Sequence, residues 1–95
     1  SSGKTAGLLG EKLLSISRTH QVLCVTHMAQ IAAKAAHHIL IEKKVENNET
    51  TTKVRFLSES ERIQEIARLL SGGENEAKAL ALAQEMIQSN KKQPE

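Results

Sequence analysis

Aromatic side chains are all but missing: Phe56 is the only Phe, Tyr or Trp in 95 residues. Any core must therefore be packed from Leu, Ile, Val and Ala. A chain this short is one small domain or a piece of a larger one. Small domains bury only a modest fraction of their surface, so part of the apolar surface is expected to meet another segment. Cysteine is almost as scarce. Cys24 alone cannot form an internal disulfide, and within Val22-Leu23-Cys24-Val25 it reads as a small hydrophobe, in keeping with a cytoplasmic compartment. No apolar run approaches the roughly 20 residues that span a bilayer, and no basic-then-apolar leader is visible. The first residue is Ser1 rather than Met, which predicts a cut N-terminus or a start inside a longer protein. Excess charge is small too. A net +2, without an aromatic platform or an Arg-rich stripe, is too weak to indicate nucleic-acid binding. With 25% charged and 39% apolar residues, the chain is neither a disordered tail nor a membrane protein.

Periodicity predicts an α/β arrangement. Ala6, Leu9, Leu13 and Ile16 share one face of a helix over residues 5–17. Residues 21–26 are a continuous apolar run, the pattern of a strand buried on both faces of a parallel sheet. The Ala-rich residues 28–36 predict a helix, with His37 and His38 at its end or just beyond. Residues 39–45 and 51–57 read as strands, joined by the turn signal Glu46-Asn47-Asn48-Glu49 into a hairpin, with Thr52, Val54 and Phe56 on one face. Ser58 and Glu61 fit a capping box. Ile63, Ile66, Ala67 and Leu70 stripe the helix that follows, and Gly72 and Gly73 end it. A last helix is expected over residues 75–89, then a frayed tail, so that residues 1–90 form the folded part and 91–95 the tail.

Three stretches resemble nucleotide-binding motifs. Ser2-Gly3-Lys4-Thr5 copies the end of a P-loop, whose amides and lysine wrap phosphates. The preceding strand and first glycine are missing, and a loop entering a helix is the favoured reading. In Val25-Thr26-His27-Met28-Ala29-Gln30 a histidine directly follows an expected strand end, where open α/β sheets bind ligands. A neutral imidazole there can donate and accept, toward a γ-phosphate or a water, although a lone histidine in this place is more often a cap or a surface group. Leu70-Ser71-Gly72-Gly73-Glu74 is one letter from the ABC signature L-S-G-G-Q, whose Ser and Gly amides meet a partner head's γ-phosphate. The plain alternative is a glycine helix stop. His20, His37 and His38 read as surface loop residues, and Cys24 with His27 lacks the further ligands a metal site needs.

The run Q-V-L-C-V-T-H-M-A-Q-I-A-A-K-A resembles the RecN family, whose heads carry a strand ending in T-H-x-x-Q-x-A-A. The similarity continues upstream in S-G-K-T-A-G-L-L-G-E-K-L, and downstream in I-L-I-E-K-K, T-T-K-V-R-F-L and E-I-A-R-L-L, covering about residues 1–89. The resemblance implies the C-terminal lobe of a partial ABC-type P-loop NTPase head, of the structural-maintenance-of-chromosomes-like kind that acts in recombinational repair of DNA double-strand breaks. It places Ser2 and Gly3 in the D-loop, His27 on the switch histidine and Gln30 on a motif position without an assigned role. It also implies ATP and Mg in the intact protein, the N-terminal half of the same head as partner, a second head in an ATP-dependent dimer, DNA reached through the whole protein, no membrane, and a cytoplasmic, nucleoid-associated location. ABC heads run P-loop, Q-loop, signature, Walker B, D-loop, switch histidine. On that order Lys4 is not the P-loop lysine and residues 70–74 are not the signature. The P-loop, the signature and the Walker B acids would all precede Ser1, so the isolated chain is expected to hydrolyse no ATP. Other readings are a RecF-like or condensin-like head, or a small non-enzymatic interaction domain.

Overall fold

The computed structural model describes residues 3–91; Ser1, Ser2 and residues 92–95, including most of the expected tail, lie outside the described residues. In chain order the elements are α1 (Gly3–Ile16), α2 (Ala29–Ala32), β1 (Ile39–Glu46), β2 (Glu49–Phe56), α3 (Glu59–Ser71) and α4 (Glu76–Lys91). The chain is thus mixed α/β, with one two-stranded antiparallel hairpin among its described residues.

Local chemistry explains most of the boundaries. The Ser58 hydroxyl accepts from the Glu61 amide at 3.2 Å, and the Glu61 carboxylate accepts from the Ser58 amide at 3.0 Å, closing the capping box that starts α3. At the other end Gly72 adopts φ 65°, and its amide reaches the Arg68 carbonyl at 2.9 Å. That left-handed stop costs a residue with a side chain about 1 kcal/mol or more. The hairpin closes at Asn47 (φ 52°) and Asn48 (φ 63°), and Glu46 pairs with Glu49 across them. Two successive left-handed residues make the two-residue turn that matches strand twist, and Asn tolerates that conformation well.

The core forms where α2, α3 and α4 meet. Ile66 and Ile87 are its largest fully buried side chains, surrounded by Ala29, Ala32, Ala33, Ala67, Ala79 and Ala83. Small alanines let the helices approach closely, as a chain almost without aromatics requires. Lys91, at the end of α4, donates to Glu59 at the start of α3 at 2.7 Å, so these two helices run antiparallel.

Two expected elements differ. Residues 21–26 form no strand and have no ladder partners among the described residues, with Leu23 83% and Val25 93% exposed, and Cys24 is exposed rather than buried. A strand needs a neighbour for its amides and carbonyls, and among the described residues none lies beside this segment. The helix expected over residues 28–36 closes after four residues. Its last turn tightens through Lys34 N–H to Ile31 O and Ala35 N–H to Ala32 O. The carbonyls of Ala33 and Ala35, which a longer helix would need for its next amides, accept from Nη2 of Arg62, and the Ala32 carbonyl accepts from it as well as from Ala35 N–H.

Candidate functional site

The site is built on the segment that leads into α2. Met28 N–H donates to Thr26 Oγ1 at 2.9 Å, a local side-chain hydrogen bond that brackets His27. Ala29 is buried, and the amides of Ile31 and Ala32 both return to Met28 O, so the loop hands over directly to a helix seated in the core. His27 itself is exposed.

Gln30 points the other way, toward the start of α1. A Cβ placed on Gly3 would stand 3.1 Å from Gln30 Nε2 and 3.7 Å from its Cδ. Two of the residues singled out from sequence thus lie near each other, 27 positions apart in the chain. Ser2 lies outside the described residues. Lys4 and Thr5 are exposed in the first turn of α1.

Beside Gln30, an open groove between α1, α2 and α4 is lined by Gly7, Lys34, Met86 and Asn90. Lys34 ties its walls together: Nζ donates to Glu11 at 2.7 Å and to Asn90 Oδ1 at 3.1 Å, while Asn90 Nδ2 donates to Ala33 O at 3.0 Å. Its stem crosses α1 at Gly10, where a Cβ would come within 2.9 Å of Lys34 Cδ.

Sequence reasoning passed over Arg62. It is 5% exposed, and burial lowers its pKa while Glu59 opposes the shift. The available signal was an arginine at helical spacing from Ile66, on the buried stripe of α3. His38 also departs from expectation. It is half-buried rather than a surface loop residue, and its Nδ1 is buried without a partner. Burial first, and then the positive charge of Arg62, lower its pKa below 6.5, against a weaker opposite pull from Glu65. His20 and His37 are exposed as expected, and among the described residues no group of three His, Cys, Asp or Glu could hold a metal ion.

Residues 70–74 form a helix stop. The Ser71 hydroxyl donates to Ala67 O at 3.1 Å and accepts from Gly73 N–H at 3.1 Å, while Gly72 and Gly73 have φ of 65° and 101°. The hairpin presents Ile41, Val45, Val54 and Phe56 on one face, each more than half exposed. No described helix is long and apolar enough to cross a membrane.

No protein-family model matches the chain. Individual proteins do. The chain is 48% identical over 86 residues to the DNA repair protein RecN of Haemophilus influenzae, covering 90% of this chain and 15% of that protein. It is 49% identical over 85 residues to RecN of Deinococcus radiodurans, with the same coverage of 90% and 15%. To RecN of Bacillus subtilis it is 42% identical over 73 residues, 77% of this chain and 13% of that protein. What these matches define is a mixed α/β segment shared with much longer bacterial proteins. The chain belongs to the RecN family, matching its C-terminal segment and spanning about 15% of the length of these relatives.

Proposed function

We propose that this chain supplies the C-terminal lobe of an ABC-type, structural-maintenance-of-chromosomes-like ATPase head that works in the repair of DNA double-strand breaks. The observation that carries the reading is the 48% identity to a DNA repair protein over 90% of the chain, a match that leaves only nine residues outside and so includes the stretch from His27 to Gln30. In this reading Ser2 and Gly3 belong to the D-loop facing a second head. The exposed His27 is the switch histidine, and its imidazole orients a water or the γ-phosphate of ATP. The phosphate cradle, the Mg ligands and the glutamate that polarises the attacking water come from the N-terminal half of the same head. That half would also cover Leu23 and Val25, giving residues 21–26 the sheet neighbours that the described residues do not provide. DNA is engaged by the whole protein, in the bacterial cytoplasm.

The test is His27→Ala in the intact protein that carries this segment. Loss of one pre-organised transition-state contact typically costs on the order of 10²–10³ in rate, so ATP turnover should collapse while the melting temperature stays close to that of the unaltered protein. Unchanged turnover would overturn the assignment. The 95-residue chain alone should give a flat calorimetric titration with Mg-ATP, because one or two hydrogen bonds at about 0.5–1.5 kcal/mol each fall short of the roughly 4.1 kcal/mol that millimolar binding needs.

A further inference from the structure

His27 takes its place from the helix it leads into. Met28, its neighbour, is held on both sides: its N–H donates to Thr26 Oγ1 at 2.9 Å, and its carbonyl accepts from the Ile31 and Ala32 amides at 3.1 and 3.0 Å. The link from α2 to the His27–Met28 peptide is therefore main chain, with no flexible side chain inserted in it. α2 is itself one turn of four residues, too short to be stable alone. What seats it in the core is chiefly Ala29, Ala32 and Ala33. Apolar burial has no direction, so these small contacts leave the angle of the turn open. Direction comes from α3. Nη2 of the buried Arg62 donates to Ala32 O at 3.2 Å, to Ala33 O at 3.0 Å and to Ala35 O. Asn90 shares only the Ala33 carbonyl. Ala32, which Arg62 grips by its carbonyl, is the residue whose amide bonds to Met28 O. Hydrogen bonds thus run from Arg62 through Ala32 and Met28 to Thr26, and His27 lies between the last two.

We propose that Arg62 is a positioning residue for His27: by gripping the carbonyls at the end of α2 it fixes the angle of that turn, and with it the place of the histidine at the other end. This rests on the reading of His27 as the switch histidine. Without the guanidinium the alanines still fill the core, but the turn loses the bonds that orient it, and His27 moves with the turn. Arg62 touches no reacting atom in this scheme. Its effect belongs on kcat rather than KM, because the groups that grip the nucleotide lie elsewhere in the head.

The experiment is a double-mutant cycle on Arg62 and His27 in the intact RecN-family protein carrying this segment. It is read as kcat and KM for ATP, at a temperature where circular dichroism shows every variant folded. A reacting group misplaced by about 1 Å can lose about a hundredfold in rate, so Arg62→Met should lower kcat about ten- to a hundredfold, with KM changed less than about twofold. In the His27→Ala background the same change should lower the residual kcat less than about twofold, since the group that Arg62 positions is gone. An arginine that only stabilises the fold would cost the same factor in both backgrounds. That result would overturn the proposal, and so would an unchanged kcat or a change confined to KM. Arg62→Lys should recover part of the rate, and it replaces Arg62→Met in the cycle if that variant does not fold, with a loss of about two- to tenfold that again vanishes in His27→Ala. His27→Ala by itself separates the two levels: if it leaves turnover unchanged, the switch reading and this inference fall together, whereas if turnover collapses while the losses of the cycle multiply, this inference alone fails.

Discussion

Arg62 Nη2 donates to the carbonyl oxygen of Ala33 at 3.0 Å, joining α3 to the end of α2 across 29 residues of chain. The same nitrogen reaches Ala32 O at 3.2 Å and also Ala35 O. A buried guanidinium thus replaces the amides a longer helix would have supplied. Its Nε has no partner, so the arrangement carries a desolvation cost, and the carbonyls that would be orphaned without it explain why it holds. Hydrogen bonds to charged groups contribute about 1.5–3 kcal/mol each, and the Ala33 carbonyl keeps Asn90 as a second donor. Arg62→Met should therefore destabilise the chain by on the order of 3 kcal/mol in urea denaturation. Arg62→Lys should rescue only in part: one nitrogen meets all three carbonyls, and a lysine ammonium stands on a shorter stem from which it must reach them. A loss below about 1 kcal/mol for Arg62→Met would show that α2 ends for another reason.

Gly7 and Gly10 make a matched pair in α1. Both are helical, yet nothing stands within 4 Å of a Cβ at Gly7, whereas at Gly10 it meets Lys34 Cδ at 2.9 Å. Alanine in a helix interior gains about 0.5–1 kcal/mol over glycine, so Gly7→Ala should raise the melting temperature. Gly10→Ala should give no net gain, because Lys34 must leave Glu11 and Asn90 to make room. Equal stabilisation by both would mean that the Lys34 cluster contributes nothing to holding α1 on α2.

His38 predicts the behaviour in mild acid. Its pKa is lowered in the folded chain, so the unfolded chain binds the proton first, near pH 6.5. Its contribution to stability is complete above about pH 6.5 and is lost as the pH falls through the lower folded value. Denaturation midpoints should fall between pH 7 and pH 5, and His38→Leu should flatten that slope. A slope unchanged in the variant would assign the acid sensitivity elsewhere.

Glu61 acts in a lower window. The Ser58 amide, then the Arg55 guanidinium and the Ser58 hydroxyl, hold its carboxyl at about 2, below the ordinary 4.5. The capping box should therefore stay intact until the pH falls below 4.5, weakening as it falls toward 2. Glu61→Gln, which keeps the reciprocal geometry without the titration, should remove that part of the acid dependence. A Glu61 carboxyl titrating near 4.5 by nuclear magnetic resonance would contradict the arrangement.

Residues 70–74 separate pattern from position. Gly72→Ala should cost about 1 kcal/mol, since φ is 65° there. Ser71→Arg in the intact protein should leave ATP turnover nearly unchanged at temperatures where it stays folded, because Ser71 serves a helix end through Ala67 and Gly73. Loss of turnover without unfolding would mean that these residues do meet nucleotide.

Where a signal is local, the sequence by itself determined the outcome. Ser58 and Glu61 specify a helix start, Asn47 and Asn48 a turn, and Gly72 a helix stop, because each acts through hydrogen bonds or backbone torsions a few residues away. The RecN resemblance was likewise carried by an ordered series of short motifs along the chain. Tertiary structure decided what depends on distant partners. Residues 21–26 have every property of a buried strand and yet form none, since a ladder requires neighbours that the described residues do not provide. The helix begun at Ala29 closes after Ala32, and Arg62, 30 positions from that alanine, caps the carbonyls at its end. The nearness of Gly3 to Gln30 was written in no local pattern: it follows from how α1 and α2 lie against each other.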